Sequence, residues 1–320
     1  MLKIDMASKL PLLFSFLLLF LQGCEEFPQA ENKNIKFIKT WGSKGRRRGQ
    51  FLFPQGLALD NEGRILVCDA LRADIQVFSK DGVYIKRFGG KGVAADKFEK
   101  PSSIVVDGMG NIFVCDYLSG LIKKFDSNYK HQMTFGGLGS TDGKTFEPVS
   151  ICLTAEGRVC LAEMGNNRIS VFNNTGKFLF TFASFGREKG RIQIPQSVRC
   201  TPSGQFYVSD SGNHRVQVFD SSGKFLKQMG GTGQEPGGLR FPTGLTLDSK
   251  GNLYICDRGN ERIVVFNREG KYKFSWGGHG NGVGNFANPQ GIIIDKEGNV
   301  FVADTGNCRI QKFKITMGSP

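Results

Sequence analysis

The sequence predicts an all-β protein, a six-bladed β-propeller of four-stranded blades closed by its own N-terminal strand. Three observations predict it. A single phrase recurs six times at a step of 47 residues. Each recurrence holds short apolar runs separated by turn residues. The sixth recurrence lacks its last run, and a matching run stands before the first.

The period is carried by four marks. The prolines are Pro54, Pro101, Pro148, Pro195, Pro242 and Pro289. The turn glycines are Gly63, Gly110, Gly157, Gly204, Gly251 and Gly298. Acidic residues follow at Asp69, Asp116, Glu163, Asp210, Asp257 and Asp304. Each unit closes on a phenylalanine, at Phe78, Phe125, Phe172, Phe219, Phe266 and Phe313. A period of roughly 20–50 residues means a solenoid, an array or a propeller.

The first unit shows how each is built. Gly56–Leu59 is an apolar run, and Asp60-Asn61-Glu62-Gly63 is a turn. Ile65–Cys68 is the second run and Ile75–Phe78 the third, followed by the turn Ser79-Lys80-Asp81-Gly82. Val83–Phe88 is the fourth. Asp, Asn and Gly supply the turn geometry. The runs are apolar without clean alternation, as in sheets covered on both faces. Four strands per unit repeated radially describe a propeller.

Closure follows from the ends. After Phe313 only Lys314–Pro320 remain, too few for an outer strand. Trp41-Gly42 lies 47 residues before Phe88-Gly89, and Trp276-Gly277 holds the same place in unit five. Ile35–Trp41 is therefore expected as the outer strand of the last blade, leaving no open edge. The organisation expected is a leader over 1–24, a linker over 25–34, a propeller over 35–315 and a tail over 316–320.

The phrase itself resembles the NHL repeat. Phe286–Phe313 carries Phe-x-x-Pro-x-Gly and then Gly-Asn-Val-Phe-Val-Ala-Asp-Thr-Gly-Asn-x-Arg-Ile-Gln. Units four and five match nearly as well through Ser211–Arg215 and Arg258–Arg262. Units one and two depart from it at Asp74 and Leu121, and unit three has Glu163 for Asp. The segment Gly42–Phe51 is similar to the start of the propeller in animal tripartite-motif (TRIM-NHL) proteins. That resemblance implies binding of RNA or a protein partner, in proteins linked to ubiquitin transfer. This chain shows no RING-type Cys/His cluster. A fold of this kind hosts many functions, so the resemblance speaks for fold more than for activity.

Leader and cysteines point in opposite directions. Leu10–Leu21 is almost wholly apolar, follows Lys3 and Lys9, and is too short to span a bilayer. It reads as a signal peptide. Leu21-Gln22-Gly23-Cys24 also resembles a bacterial lipobox, which would anchor the chain through Cys24. The seven later cysteines, Cys68, Cys115, Cys152, Cys160, Cys200, Cys256 and Cys308, read as reduced thiols. Three of them, Cys68, Cys115 and Cys256, hold the same slot in different blades, too far apart to bridge. That pattern suits a reducing compartment.

Little catalytic chemistry is visible. His131, His214 and His279 hold different repeat positions and are not expected to converge on a metal. Some NHL relatives are amidating lyases with a zinc in the channel, and an exported lyase- or hydrolase-like enzyme with a metal there is the alternative reading. The acidic series could in principle hold Ca²⁺. Arg168, Arg215, Arg262 and Arg309 stand five residues after it, which points instead to loop-pinning ion pairs.

Charge carries the functional expectation. Lys plus Arg number 42 against 29 Asp plus Glu, a net +13. Propeller geometry gathers the linkers between blades and the loops after each second strand on one face. The expected binding residues there are Lys44, Arg46, Arg47, Arg48, Arg72, Lys91, Lys97, Lys100, Arg187, Lys189, Arg191 and Arg258. A basic face attracts polyanions. The expectation is a monomeric, non-catalytic recognition scaffold without cofactor. Its partner would be RNA or protein in the cytosol, and a protein or an anionic polymer if exported. Phe51, Phe53 and Tyr117 are the nearest candidates for stacking on RNA bases.

Asn173-Asn174-Thr175 is the only glycosylation sequon in the chain. Expressed through a eukaryotic secretory pathway, the protein is expected to carry a glycan on Asn173, visible as a mass shift removed by an endoglycosidase. A bare Asn173 with free thiols, found in the protein's own source, would mark the cytosol or a bacterium.

Overall fold

The computed structural model describes residues 33–316. The leader with its Cys24, the linker up to residue 32 and residues 317–320 lie outside the described residues. Strands form six antiparallel four-stranded sheets, five built each from one unit and the last completed by the N-terminal strand. The first blade comprises Pro54–Leu59, Ile65–Asp69, Asp74–Phe78 and Tyr84–Gly89. The inner strand begins two residues earlier than the apolar run, on the proline. That strand is the free edge of its sheet, so a residue without an N–H removes no ladder bond. The pairing slips directly after the proline, between Pro54 and Leu57, and similarly in the other blades.

The closing strand is Ile35–Trp41, as the spacing predicts. It pairs antiparallel with Arg309–Ile315, with Ile35 opposite Ile315 and Trp41 opposite Ile310. The last sheet thus takes its outer strand from the start of the propeller and the other three from its end. Trp41 then reaches across the seam. Its ring lies 6.2 Å from Phe78 of the first blade and 6.2 Å from Phe301 of the last. The first blade's turn passes so near the indole that a Cβ at Gly82 would sit 2.5 Å from it. The residue also holds φ +75, which suits only glycine.

No blade has a core of its own. The buried apolar residues form six clusters, and each joins two consecutive blades. One gathers Ile169, Val171, Val198, Phe206 and Phe219 between the third and fourth blades. Another gathers Trp41, Leu57, Phe78, Ile293 and Phe301 across the seam. The rest fill the remaining contacts between neighbours. The closing phenylalanines of all six units are at most 3% exposed. Stability of this kind is a sum over neighbour contacts, and the ring makes the first and last blades neighbours too.

One departure from an all-strand reading falls in units four to six. Ser211–Asn213, Arg258–Asn260 and Thr305–Asn307 are single turns of 3-10 helix. Each ends on a left-handed residue, His214, Glu261 or Cys308.

Deleting residues 35–42 removes the outer strand of the last blade together with Trp41, and the whole ring should melt at a lower temperature. Trp41→Ala alone should cost about 3–5 kcal/mol, the range for truncating a buried large aromatic. Denaturant unfolding followed by circular dichroism measures both. A deletion that melts like the parent would refute the closing role.

Candidate functional site

The acidic series is fully buried and already used within the protein. Asp69 accepts from the N–H groups of Leu52 at 2.7 Å and Phe53 at 3.0 Å. Asp116 does the same with Glu99 and Lys100. Glu163, Asp210, Asp257 and Asp304 each hold an N–H of their own linker, those of Phe146, Gln193, Arg240 and Ala287. Each carboxylate therefore fastens the incoming linker to its blade. Burial pushes the carboxyls of Asp69 and Asp257 up from their ordinary range, against the opposing pull of these N–H donors.

The arginines complete the clamp. Arg168, Arg215, Arg262 and Arg309 donate from Nε to the acidic residue at 3.1, 2.7, 2.9 and 2.6 Å. Their amino groups continue to carbonyls of the same linker; Arg309 reaches Asn281, Gly282 and Asn285. The first two units lack this arginine yet fill its place. In the first, Arg72 pairs with Asp74 at 3.0 Å and donates to the carbonyl of Arg47 at 3.1 Å. In the second, Lys123 donates from Nζ to the carbonyls of Ala94 and Lys97. Among the described residues, no three His, Cys, Asp or Glu side chains are gathered so as to hold a metal ion.

The structure places the expected cations as follows, and Arg72 departs from the expectation. The linkers and the loops after the second strands do share a face; Asn213, for example, donates from a loop to the linker carbonyl of Gly186. Lys44, Arg46, Arg47, Arg48, Lys91, Arg187, Lys189 and Arg191 are exposed on it. Lys97 is half-buried and engaged with Asp96 and the Gly89 carbonyl. Lys100 lies over the Tyr117 ring at 4.4 Å. Arg258 is half-buried over Phe241 at 5.8 Å. Arg72 does not belong to the exposed patch. It is 7% exposed, because the cation missing from its repeat position must be supplied from within the loop.

The exposed cations are unevenly spread. Lys44, Arg46, Arg47 and Arg48 stand in one linker with no carboxylate, and Arg187, Lys189 and Arg191 stand in the linker three blades away with only Glu188. Arg191 spends part of its charge on Glu188 at 3.5 Å. Between these poles the face exposes aliphatic loop tips: Leu71, Val93, Leu138 and Val283 are each more than half exposed. The proposed stacking aromatics are less available. Phe51 is fully buried, Phe53 is half-buried, and Tyr117 is half-buried beneath the Lys100 ammonium.

The histidines stay apart. His131 bonds Thr134, and His214 accepts from the Phe241 N–H at 3.1 Å. His279 is exposed beside Glu261. None lines the central channel. Its waist is walled by Gln55, Ser102, Ser103, Ser150, Gln196, Ser197 and Gln290, and its one charged side chain is Arg199. A cation there does not fit a metal, so the channel-metal alternative has no donor set. Sequence reasoning passed over Arg199, although the repeat signals it. The other five units carry Ala58, Val105, Cys152, Thr246 and Ile293 at that position.

The class is a six-bladed propeller of NHL-type units, and comparison with known proteins agrees. A family model described as a 6-bladed beta-propeller, DUF5128, matches residues 56–135 and 243–320. The NHL repeat model matches residues 193–219. These matches support a place in the NHL propeller family. No curated protein matches by sequence. Among solved structures, a structural-genomics protein from Bacteroides thetaiotaomicron is 19% identical. It has a TM-score of 0.68, over 88% of this chain and 76% of that one. A virginiamycin B lyase from Staphylococcus aureus is 15% identical with a TM-score of 0.60, over 88% and 99%. A gluconolactonase from Xanthomonas campestris is 14% identical with a TM-score of 0.63, over 84% and 88%.

These neighbours correct one expectation. The chain was expected not to be an enzyme, on the ground that no catalytic constellation shows in its spacing. Two of the solved propellers that share its fold are enzymes, so catalysis is open to this chain. At this identity the likeness shows the fold alone, and no activity is carried over.

The clamp gives a direct test. Arg215→Met would strip Asp210 of its cation and leave the carbonyls of Glu188 and Arg191 with only the Arg191 N–H and Gln217 Nε2 as donors. Breaking a buried pair by removing one partner costs about 3–5 kcal/mol. The midpoint of urea unfolding should fall accordingly, and a midpoint unchanged from the parent would show the clamp to be dispensable.

Proposed function

We propose that this propeller is a recognition module that docks an acidic protein segment on its linker face. The observation that carries the proposal is the run Arg46-Arg47-Arg48. It is exposed, without a carboxylate partner among the described residues, and set beside exposed aliphatic loop tips. The run lies in Gly42–Phe51, the stretch that resembles the tripartite-motif propellers. Arginines meet carboxylates as two-pronged donors. Aliphatic side chains ringed by charge suit a protein surface, which buries them on docking. A nucleic acid would instead call for a basic groove tracking its backbone with free aromatic planes. Here the cations sit at two separate poles instead of along a groove; Phe51 is buried, Tyr117 is capped, and the exposed ring Phe185 stands at one pole only. A role on this face leaves room for chemistry elsewhere on the ring.

The test titrates a fluorescent Glu-rich peptide, single-stranded RNA and heparin at two salt concentrations. It uses the parent and a variant carrying Arg46→Glu, Arg47→Glu and Arg48→Glu together. The peptide should bind the parent, and more weakly at high salt. Rim charges are worth about 0.2–1 kcal/mol each, so reversing three should lower affinity by about tenfold or more. The melting temperature should barely move, since surface changes usually stay within about 0.5 kcal/mol. No peptide binding, equal binding by the variant, or tighter binding of RNA than of the peptide would overturn the proposal.

A further inference from the structure

The propeller carries a second feature that its own architecture does not call for. Arg199 stands on the inner strand Pro195–Cys200, in the middle of the ring. The equivalent side chains of the other blades are small or apolar, so blade stacking has no use for an arginine there. Its Nε donates to the Leu245 carbonyl of the next blade at 2.8 Å, and Nη1 to the Ile151 carbonyl of the preceding blade at 3.2 Å. These two bonds fix the guanidinium across three blades. No carboxylate pairs with it, and Nη2 meets no protein acceptor among the described residues.

The surroundings are partly open, and Arg199 is only half-buried. On one side lies the narrow polar waist, with room of about 30 Å³, enough for a water or two. On the other side the channel widens into a vestibule of about 330 Å³, away from the linker face. Arg199 lines both. The vestibule wall is formed by the last residues of the six inner strands. Leu57, Leu59, Val106, Leu153 and Ile294 give it apolar side chains, Thr246, Cys152 and Cys200 are its other polar side chains, and its surface is polar and apolar in similar measure. Its size is at the lower end of the roughly 300–1,000 Å³ typical of small-ligand pockets.

A guanidinium does not give up its proton inside a protein. Burial pushes its pKa down, with no carboxylate nearby to offset it. A cation held partly out of water without a counter-ion still carries a desolvation cost. Sites where a local rule is broken without a structural return tend to be functional. The geometry points to a binding site for a small monocarboxylate with an apolar body. The carboxylate would take the free edge of Arg199, and the body would fill the vestibule from the end opposite the linkers. One cation suits one negative charge. A phosphate dianion would need further donors, and the rest of the wall supplies almost none. A cationic ligand would be repelled. The inference is independent of the reading of the linker face, since it uses other residues at the other end of the channel.

Octanoate and 3-phenylpropanoate serve as probes, with octanol and octylammonium as controls, followed by calorimetry and by shift of the melting temperature. Both carboxylates should bind and stabilise the full chain, and both controls should bind more weakly. Arg199→Met should weaken the carboxylates by roughly tenfold to a hundredfold, the range for losing a hydrogen bond to a charged group. Without ligand it should melt no lower than the parent, because it removes an uncompensated cation. Arg199→Lys, which keeps the charge, should retain binding within about tenfold. Cys200 offers a locating signal. It is half-exposed in the vestibule wall, and burial pushes its thiol up to about 12. At about pH 9 slow alkylation of Cys200, read by mass spectrometry, should be slowed further by octanoate, because only the thiolate reacts. Cys308, whose Sγ lies at the Leu52 carbonyl on the linker face, should be unaffected. Neither carboxylate binding at millimolar concentration, equal binding by Arg199→Met, or an unprotected Cys200 would overturn the inference.

Discussion

A single four-stranded blade of this chain leaves two apolar faces to water, and no other layer exists to cover them. The only cover is another blade. Every apolar cluster is therefore shared between neighbours, and the chain gains its full burial only when the sixth blade meets the first. The strand Ile35–Trp41 secures this meeting, since the chain runs on from it into the first blade while it is hydrogen-bonded into the last. It completes the last sheet by hydrogen bonds and sends Trp41 into the seam cluster.

Ring closure alone would leave the linkers loose. Each linker must turn from the outer rim of one blade to the inner edge of the next. There its backbone leaves the sheets and closes only one small bridge of its own, Lys44 against Phe51 in the first linker, so many of its N–H and C=O groups need other partners. The buried carboxylate takes the N–H groups, and the cation beside it takes the carbonyls. The pair is thus a substitute for backbone pairing more than a gain in charge attraction. This explains why the cation is kept even where its repeat position is lost. Arg72 and Lys123 come from different places in their units, yet both deliver N–H donors to the carbonyls of the linker.

That substitution also marks the limit of what could be read from the chain. The period, the four strands per blade and the closing strand were all legible, because each rests on spacing along the sequence. The burial of the acidic series was legible from Arg168, Arg215, Arg262 and Arg309, five residues on. Arg72 was not, since its role depends on the carbonyls it reaches in three dimensions. By sequence it was one more loop cation. Arg199 was missed for another reason. Spacing shows that it breaks the pattern, but its meaning depends on which inner-strand positions face the axis, and that is set by the slip after each proline. Strand ends moved by a residue or two because proline and the acidic residue join the ladder at its margins.

The waist of the channel separates the two surfaces on which function is proposed. Neighbouring inner strands approach so closely there that side chains are excluded at several points. A Cβ at Gly56 would sit 2.7 Å from the Ser102 carbonyl, one at Gly244 2.4 Å from that of Gln290, and one at Gly291 2.1 Å from that of Gln55. The serines at the same level bond across the blades, Ser103 to Ile151 and Ser150 to Val198. The waist is therefore set by backbone against backbone and has little freedom to widen. A ligand held below it does not reach the linker face, and a partner on the linker face does not reach Arg199. Rigidity also bears on affinity. A guanidinium already fixed by two carbonyls from two different blades loses little further freedom when an anion arrives, so more of the interaction is retained as binding. Any influence of one site on the other would have to pass through movement of whole blades, and the six shared clusters and the linker clamps both resist such movement.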